Sequence, residues 1–261
     1  MSEVYPSINV IGIKLTLLDW HALLKVVAEA ASLGRKVLVA SGNTYSFNLA
    51  YESEGLRNFL DRADIVRLEG EGLRWGARIL GYETPKRLVF ADFVWDIAGM
   101  AADNGFSFFL LGSRPGVAQR AADRLTERFP TLRIAGVHDG YFDKTTGSAE
   151  NEAVIQQINA GKPNILFVGF GMPLQERWLG ENWPRLDVNV VFTCGALVDY
   201  VSGDLRRSPQ WLNDHGLEWL GRMIIEPRRL WRRYLIGNPL FLWRVIQQRL
   251  RGLPGTTPKT E

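Results

Sequence analysis

Residues 164–171 read NILFVGFG, a short apolar run that closes with two glycines. Such a run is typical of a strand buried on both faces of a sheet and followed by a tight turn. The comparable runs are residues 36–43, 63–70, 106–113, 132–140 and 188–195. Amphipathic stretches such as residues 117–129 separate several of them. This alternation predicts an α/β fold with a Rossmann-like, largely parallel sheet and helices on both faces.

Polar residues follow the predicted strands, at the edge where such sheets bind ligands. They are Ser41, Asn43, Glu69, Glu71, Arg114, His138, Asp139, Gln175, Glu176 and Asp199. We therefore take these side chains as the first candidates for a functional site.

The C-terminal part of the chain has a different composition. Between residues 203 and 251 the sequence holds ten arginines, no lysine and four acidic residues, together with four tryptophans. Breaks at Pro227 and Pro239 divide the segment into predicted helices. We predict a Rossmann-like domain over residues 1–205, a helical, arginine- and tryptophan-rich appendage over 206–252, and a disordered tail over 253–261.

Composition excludes several classes of protein. The single cysteine, Cys194, excludes a disulfide framework and a cysteine-based zinc site. The N-terminus does not resemble a signal peptide, and no apolar run approaches the ~20 residues of a membrane span. The turns at Gly112 and Gly169 lack the full dinucleotide fingerprint, so a nicotinamide cofactor has weak support. The three widely spaced histidines argue against a histidine-based metal cluster. We predict no cofactor and a location on the cytoplasmic side of the membrane.

In the stretch LEGEG, residues 68–72, two carboxylates alternate with two glycines where a strand is predicted to turn into a helix. Three interpretations are open. Glu69 and Glu71 can share a divalent metal, because residues i and i+2 of an extended chain point to the same side. Alternatively, Glu69 is a general base. On composition alone, a solvated turn is favoured.

The C-terminal arginines also have alternative roles. They can form a solvated face, bind phosphate through their planar guanidinium groups, or contact an anionic membrane beside tryptophan and leucine. No recognised nucleic-acid-binding motif supports a role with nucleic acid.

Three blocks in this order and spacing carry a resemblance to a known family. They are VGFGMPLQERW at 168–178, GDLRRSP at 203–209 and LEWLGRMIIEPRRLWRRY at 217–234. From about Ile8 to Gln247 the chain resembles the WecG/TagA/CpsF family of bacterial glycosyltransferases. The resemblance implies inverting, metal-independent transfer from a UDP-sugar to a polyprenyl-diphosphate-linked sugar. The family acts at the cytoplasmic membrane face, where its C-terminal appendage helps to dock the enzyme and complete the active site.

The resemblance also assigns catalytic residues. The family's P-D-G-x-G motif, whose aspartate is the proposed base, falls on residues 68–72, so Glu69 takes the place of the aspartate and Leu68 that of the proline. The family's T-x-N motif falls on Ser41 and Asn43. Glu71 lies at a variable position of the motif.

Donor and diphosphate binding is assigned in the same way. The residues implied are Asp92, Gly171, Gln175, Glu176, Gly195, Asp199, Arg207, Arg222, Arg229 and Arg232. The chain departs from the family pattern at Phe90, Leu174 and Ala196, where glycine, lysine and glycine are usual.

The donor sugar has two candidates. The ending RYLIGNPLFLWR, residues 233–244, and the loss of P-D-G resemble the glucosyl-transferring exopolysaccharide branch, which favours glucose over N-acetylmannosamine. Two other functions stay open: a non-catalytic, membrane-associated nucleotide-sugar-binding protein, and a nicotinamide-dependent oxidoreductase. Exposed apolar residues in the appendage are also compatible with a homo-oligomer.

Overall fold

A computed structural model of the protein describes residues 5–86, 89–205, 218–225 and 227–252. The chain forms two compact units. The first unit comprises Met1–Asp19, Ser41–Val89 and Arg206–Glu261, and the second comprises Trp20–Ala40 and Phe90–Leu205. The predicted tail and the start of the predicted appendage lie outside the described residues. The domain boundaries drawn from the sequence stay predictions.

Strands and helices alternate along most of the chain. The strands are β1 (Ser7–Val10), β2 (Ile13–Thr16), β3 (Val37–Gly42), β4 (Ile65–Leu68), β5 (Ser107–Gly112), β6 (Arg133–His138), β7 (Ile165–Gly169) and β8 (Val190–Thr193). The helices are α1 (Trp20–Ser32), α2 (Thr44–Glu52), α3 (Glu54–Arg62), α4 (Glu71–Ile79), α5 (Phe90–Asn104), α6 (Val117–Arg128), α7 (Ala149–Gly161), α8 (Leu174–Asn182), α9 (Leu197–Ser202), α10 (Glu218–Ile225), α11 (Pro227–Trp231) and α12 (Gly237–Leu250). A 3₁₀ turn spans Trp183–Arg185, and a π-helical turn spans Arg232–Ile236.

The first unit begins with a hairpin. β1 and β2 pair antiparallel around Ile11 and Gly12, whose φ values are +50° and +84°. Two consecutive positive φ values are typical of a type I′ turn, which matches the twist of the strands it joins. β2 then pairs in parallel with β4, with Thr16 opposite Arg67.

The C-terminal helix α12 belongs to the core of the first unit. Phe241 and Val245 are fully buried on it. The Phe241 ring packs edge-on to Phe47 of α2, with centroids 6.3 Å apart. On α4, a Cβ added at Gly76 would lie only 2.7 Å from the Phe241 ring, so the glycine is what allows this close approach. Apolar burial, together with the hydrogen bonds described below, holds α12 in place.

The second unit is a parallel sheet in the order β3-β8-β7-β5-β6. Its central strands are buried along their whole length, which is why they read as continuous apolar runs. Phe167 lies at the centre of the core, 5.4 Å from Phe192 in a stacked arrangement and 5.0 Å from Phe108. The predicted α/β class, with a mostly parallel Rossmann-like sheet and a C-terminal helix, is confirmed.

Among the helices that the structure describes, none is both long enough and apolar enough to cross a bilayer.

Candidate active site

Glu69 lies in the first unit, at the first position after β4. Its backbone N–H donates to the carbonyl of Gly42 at the end of β3, over 2.7 Å. Gly70 follows with φ +79° and caps α4, a conformation that glycine adopts without steric cost. The chain therefore turns sharply after Glu69, and the Glu69 side chain lies at the C-terminal ends of β3 and β4.

Two side chains hold the Glu69 carboxylate. The hydroxyl of Ser41 donates to Oε2, and Nη1 of Arg67 lies 2.5 Å from Oε1. The Arg67 side chain is 3% exposed, whereas that of Glu69 is 25% exposed. Glu69 is thus fixed from the protein side and open to solvent on the other, which is the arrangement that a proton acceptor requires.

Glu71 has a different environment. It is the first residue of α4, and its Oε1 accepts from Nη1 of Arg74 over 2.7 Å, an i,i+3 pair on the helix. Its charge also suits a helix N-terminus. The two glutamates of LEGEG are each paired with an arginine of their own.

Asn43 is the N-cap of α2. Its Oδ1 accepts from the N–H groups of Tyr45 and Ser46, and the Ser46 hydroxyl accepts from the Asn43 N–H, which completes a capping box. Because the cap uses the amide oxygen, any contact of Asn43 with a substrate would come from its amide nitrogen.

The start of α12 is tied to the first turns of α2. The Thr44 hydroxyl donates to Asn238 Oδ1 over 2.6 Å, and Asn48 Nδ2 donates to the carbonyl of Gly237 over 2.7 Å. In the preceding π-helical turn, the guanidinium of Arg233 lies 4.9 Å from the centroid of the Tyr45 ring. The C-terminal helices therefore contact the segment that follows Ser41 and Asn43.

Gln175 and Glu176 lie in the second unit, in the first turn of α8, and both are 1% exposed. Gln175 Oε1 accepts from the N–H of Gly195 over 3.1 Å, and Gln175 Nε2 donates to Glu176 Oε1 over 2.7 Å. Gln175 thus joins the turn after β7, where Gly171 has φ +80°, to the turn after β8.

Asp199 lies in the first turn of α9 and accepts from the Ser113 hydroxyl over 2.5 Å. Ser113 follows β5 with φ +62°, a conformation that is uncommon for a residue with a side chain and often occurs at functional sites. Asp92, another sequence candidate, is exposed in the first turn of α5.

A loop after β6 carries a lysine between two aromatic rings. Lys144 Nζ lies 4.1 Å from the Phe142 centroid and 4.6 Å from that of Phe170, and donates to the carbonyls of Gly140 and Phe142. Burial lowers the pKa of this lysine, and neighbouring carboxylates oppose that effect. His138 packs edge-on to Phe142.

The C-terminal arginines are described only in part. Arg207 lies outside the described residues, and so do the side chains of Arg222 and Arg229, whose backbones belong to α10 and α11. Arg232 is exposed, with its guanidinium 5.2 Å from the Trp231 ring.

The structure thus brings Ser41 and Glu69 into contact, and it separately connects Gln175, Glu176 and Gly195. Sequence reasoning missed Arg67, Ser113, Thr44 and Asn238. Only Ser113 had a local signal, because it directly follows the glycine that ends a predicted strand.

Comparison with known proteins agrees with the family resemblance of the sequence. The model of the glycosyl transferase WecG/TagA/CpsF family matches residues 8–254. A Staphylococcus aureus protein named N-acetylglucosaminyldiphosphoundecaprenol N-acetyl-beta-D-mannosaminyltransferase is 25% identical over 211 residues, which cover 81% of this chain and 80% of the relative. A Bacillus subtilis protein of the same name is 27% identical over 189 residues, which cover 72% and 71% of the two chains.

Proposed function

The chain belongs to the WecG/TagA/CpsF family of glycosyltransferases, and we propose that it transfers N-acetylmannosamine from a UDP-linked donor to a polyprenyl-diphosphate-linked sugar. Both named relatives carry N-acetylmannosaminyl transfer in their names. The preference for glucose, drawn from the C-terminal ending and the loss of P-D-G, has no support from them.

The observation that carries the proposal is the environment of Glu69. A partly exposed carboxylate stands at a strand end, fixed by Ser41 and Arg67, at the position where the family has its proposed base. In the reaction, Glu69 accepts the proton of an acceptor hydroxyl. The oxygen of that hydroxyl forms a bond to the anomeric carbon of the donor. The bond from that carbon to the diphosphate breaks, so a single displacement inverts the configuration.

We assign donor binding to the second unit. The turns at Gly171 and Gly195 follow adjacent strands, at the edge where parallel sheets bind nucleotides. Asp199 is oriented by Ser113 and offers a carboxylate oxygen to a ribose or sugar hydroxyl. Gln175 and Glu176 are fully buried, so their proposed contribution is to fix the two turns relative to each other.

The departing nucleoside diphosphate gains negative charge, and arginines can stabilise it. The proposed group comprises Arg207, Arg222 and Arg229, which the family motifs assign, together with Arg232 of the same arginine-rich segment. Among the described side chains, Arg232 is exposed and Arg233 lies beside Tyr45, near the end of β3.

We further propose that the C-terminal helices contact the membrane surface that carries the acceptor. Large apolar side chains are exposed on this part of the chain: Ile224, Trp231, Leu235, Ile236, Trp243 and Leu250. Exposed arginines such as Arg228 accompany them. Apolar and basic residues together are typical of a helix that binds an anionic lipid interface.

The test is transfer from a panel of radiolabelled UDP-sugars to a short polyprenyl-diphosphate-linked N-acetylglucosamine, with and without EDTA. We expect transfer of N-acetylmannosamine that EDTA does not change. Transfer of glucose instead would correct the donor and keep the reaction class. Binding of UDP without transfer from any donor would favour the non-catalytic binding protein.

A further inference from the structure

We infer that Arg67 is a positioning residue for the transfer reaction, because it fixes the orientation of the Glu69 carboxylate. The inference rests on the proposed role of Glu69 as the base. It concerns a buried side chain inside β4 that acts through its neighbour Glu69.

Two contacts, one on each carboxylate oxygen, restrict the rotation of the Glu69 carboxylate. Arg67 and Glu69 are two residues apart on an extended segment and point to the same side. Arg67 Nη1 lies 2.5 Å from Oε1, while the Ser41 hydroxyl donates to Oε2. With a different partner on each oxygen, the carboxylate cannot rotate without losing one contact. Oε2 can also accept a second hydrogen bond, and the hydroxyl of the sugar acceptor can donate it.

Stability alone gives no reason for an arginine at this position. The neighbours of Arg67 along the strand, Val66 and Leu68, are buried apolar residues, and Arg67 itself is buried to the same degree. Burying a guanidinium is costly unless its partners compensate, and an apolar side chain of similar volume is often at least as stable. The contact with Glu69 gives this buried arginine a role beyond stability.

The size of the effect follows from the demands of proton transfer. A base acts only within hydrogen-bond reach of the proton, and a displacement of about 1 Å can cost about 100-fold in rate. Glutamate also has one more rotatable bond than the aspartate of the family motif. Without Arg67, only the Ser41 contact remains of the two that the described residues make to the carboxylate. We therefore expect turnover to fall while donor binding is kept.

The experiment measures kcat, and KM for UDP-N-acetylmannosamine, in Arg67→Met and Arg67→Lys, with Arg74→Met as the matched control. Arg74 forms the other ion pair of the same stretch, with Glu71. We expect kcat to fall at least about tenfold in Arg67→Met, with KM for the donor unchanged. Arg67→Lys should retain more of the turnover, and Arg74→Met should stay close to the unaltered protein. Equal losses in Arg67→Met and Arg74→Met would overturn the inference.

A double-mutant cycle separates positioning from a general structural role. Glu69→Gln and the combined Arg67→Met/Glu69→Gln variant complete it. If Arg67 acts through Glu69, the combined variant is no slower than Glu69→Gln alone. Additive losses, or normal kcat in Arg67→Met, would overturn the inference. Normal kcat in Glu69→Gln would instead overturn the proposed base. Should Arg67→Met fail to fold, Arg67→Gln completes the same cycle under the same criteria.

Discussion

The strand ends of the two units carry different residues: contacting polar side chains in the first unit and closely packed glycines in the second. In the first unit, the segment at the ends of β3 and β4 carries Ser41, Arg67 and Glu69, whose side chains contact one another. In the second unit, the ends of β5 and β7 carry Gly112 and Gly169. A Cβ at Gly112 would lie 2.5 Å from the Gly169 carbonyl oxygen.

This difference matches the two tasks that we propose for these strand ends. Proton transfer requires a functional group held in one orientation, which neighbouring charges and hydroxyls provide. Binding a nucleotide at strand ends requires the backbone to come close to the ligand, which side chains at those positions would prevent. Changes to the contacting side chains at the strand ends of the first unit should therefore affect turnover. Changes to the glycines at the strand ends of the second should affect stability and donor binding.

The largest effect is expected from Glu69→Gln. The amide keeps the size of the side chain but cannot accept the proton in the same way, so kcat should fall at least about tenfold, within the range usual for general bases. Initial rates at saturating donor and acceptor measure this. Glu71→Gln is the control, and an equal loss there would remove the distinction between the two glutamates.

Next in size is Gly112→Ala. The added methyl group would meet the Gly169 backbone, and the φ of +147° is strained for alanine. We expect the free energy of unfolding to fall by about 1–3 kcal/mol, measured by chemical denaturation, with weaker donor binding. Gly55→Ala in α3 is the control, because nothing lies within 4 Å of its added methyl group. Unchanged stability in Gly112→Ala would contradict the close approach.

A smaller effect is expected where α12 meets α2. Thr44→Val removes the hydroxyl that donates to Asn238, and the loss should be about 1 kcal/mol in the free energy of unfolding. Asn238→Ala should cost a similar amount, and the double variant should cost less than the sum. Strict additivity would show that the two side chains do not interact.

The smallest effect concerns Asp204, an exposed carboxylate of the second unit. Its hydrogen bond with Arg120 holds the pKa of the carboxyl below its usual value of 3.8. A lowered pKa contributes stability that is present above the unfolded value and is lost as pH falls through the folded value. Asp204→Asn should therefore reduce the loss of stability that occurs as pH falls below the usual carboxyl pKa of 3.8, and high salt should weaken the effect. If the free energy of unfolding depends on pH in the same way in Asp204→Asn and in the unaltered protein, the hydrogen bond with Arg120 does not contribute to stability.

The sequence was most informative where burial determines composition. The run at 164–171 predicted a strand, and β7 occupies Ile165–Gly169 with every residue buried. Strands flanked by helices need apolar side chains on both faces, so their pattern can be read locally. The sequence also indicated Glu69 as a candidate, because it directly follows the apolar run that forms β4.

The partners of Glu69 were not predictable in the same way. In the sequence, Arg67 is one residue of a predicted strand and nothing marks it as functional. Its contact with Glu69 depends on how the backbone turns at Gly70. Asn238 contacts Thr44 across 194 residues, and no local pattern encodes that distance. Ser113 had a local signal in its place after a strand, but its positive φ is not visible in the sequence. Such contacts depend on tertiary geometry, which the residue pattern does not contain.

The most direct test of Glu69 as the base is chemical rescue of Glu69→Ala. Removing the carboxylate leaves a gap at a side chain that is 25% exposed, which a small carboxylate such as formate can enter. Formate can then accept the proton from the acceptor hydroxyl. We expect sugar transfer by Glu69→Ala to rise with formate concentration, while the unaltered protein does not respond. If Glu69→Ala binds the donor and transfers sugar at the rate of the unaltered protein, with no effect of formate, Glu69 is not the base.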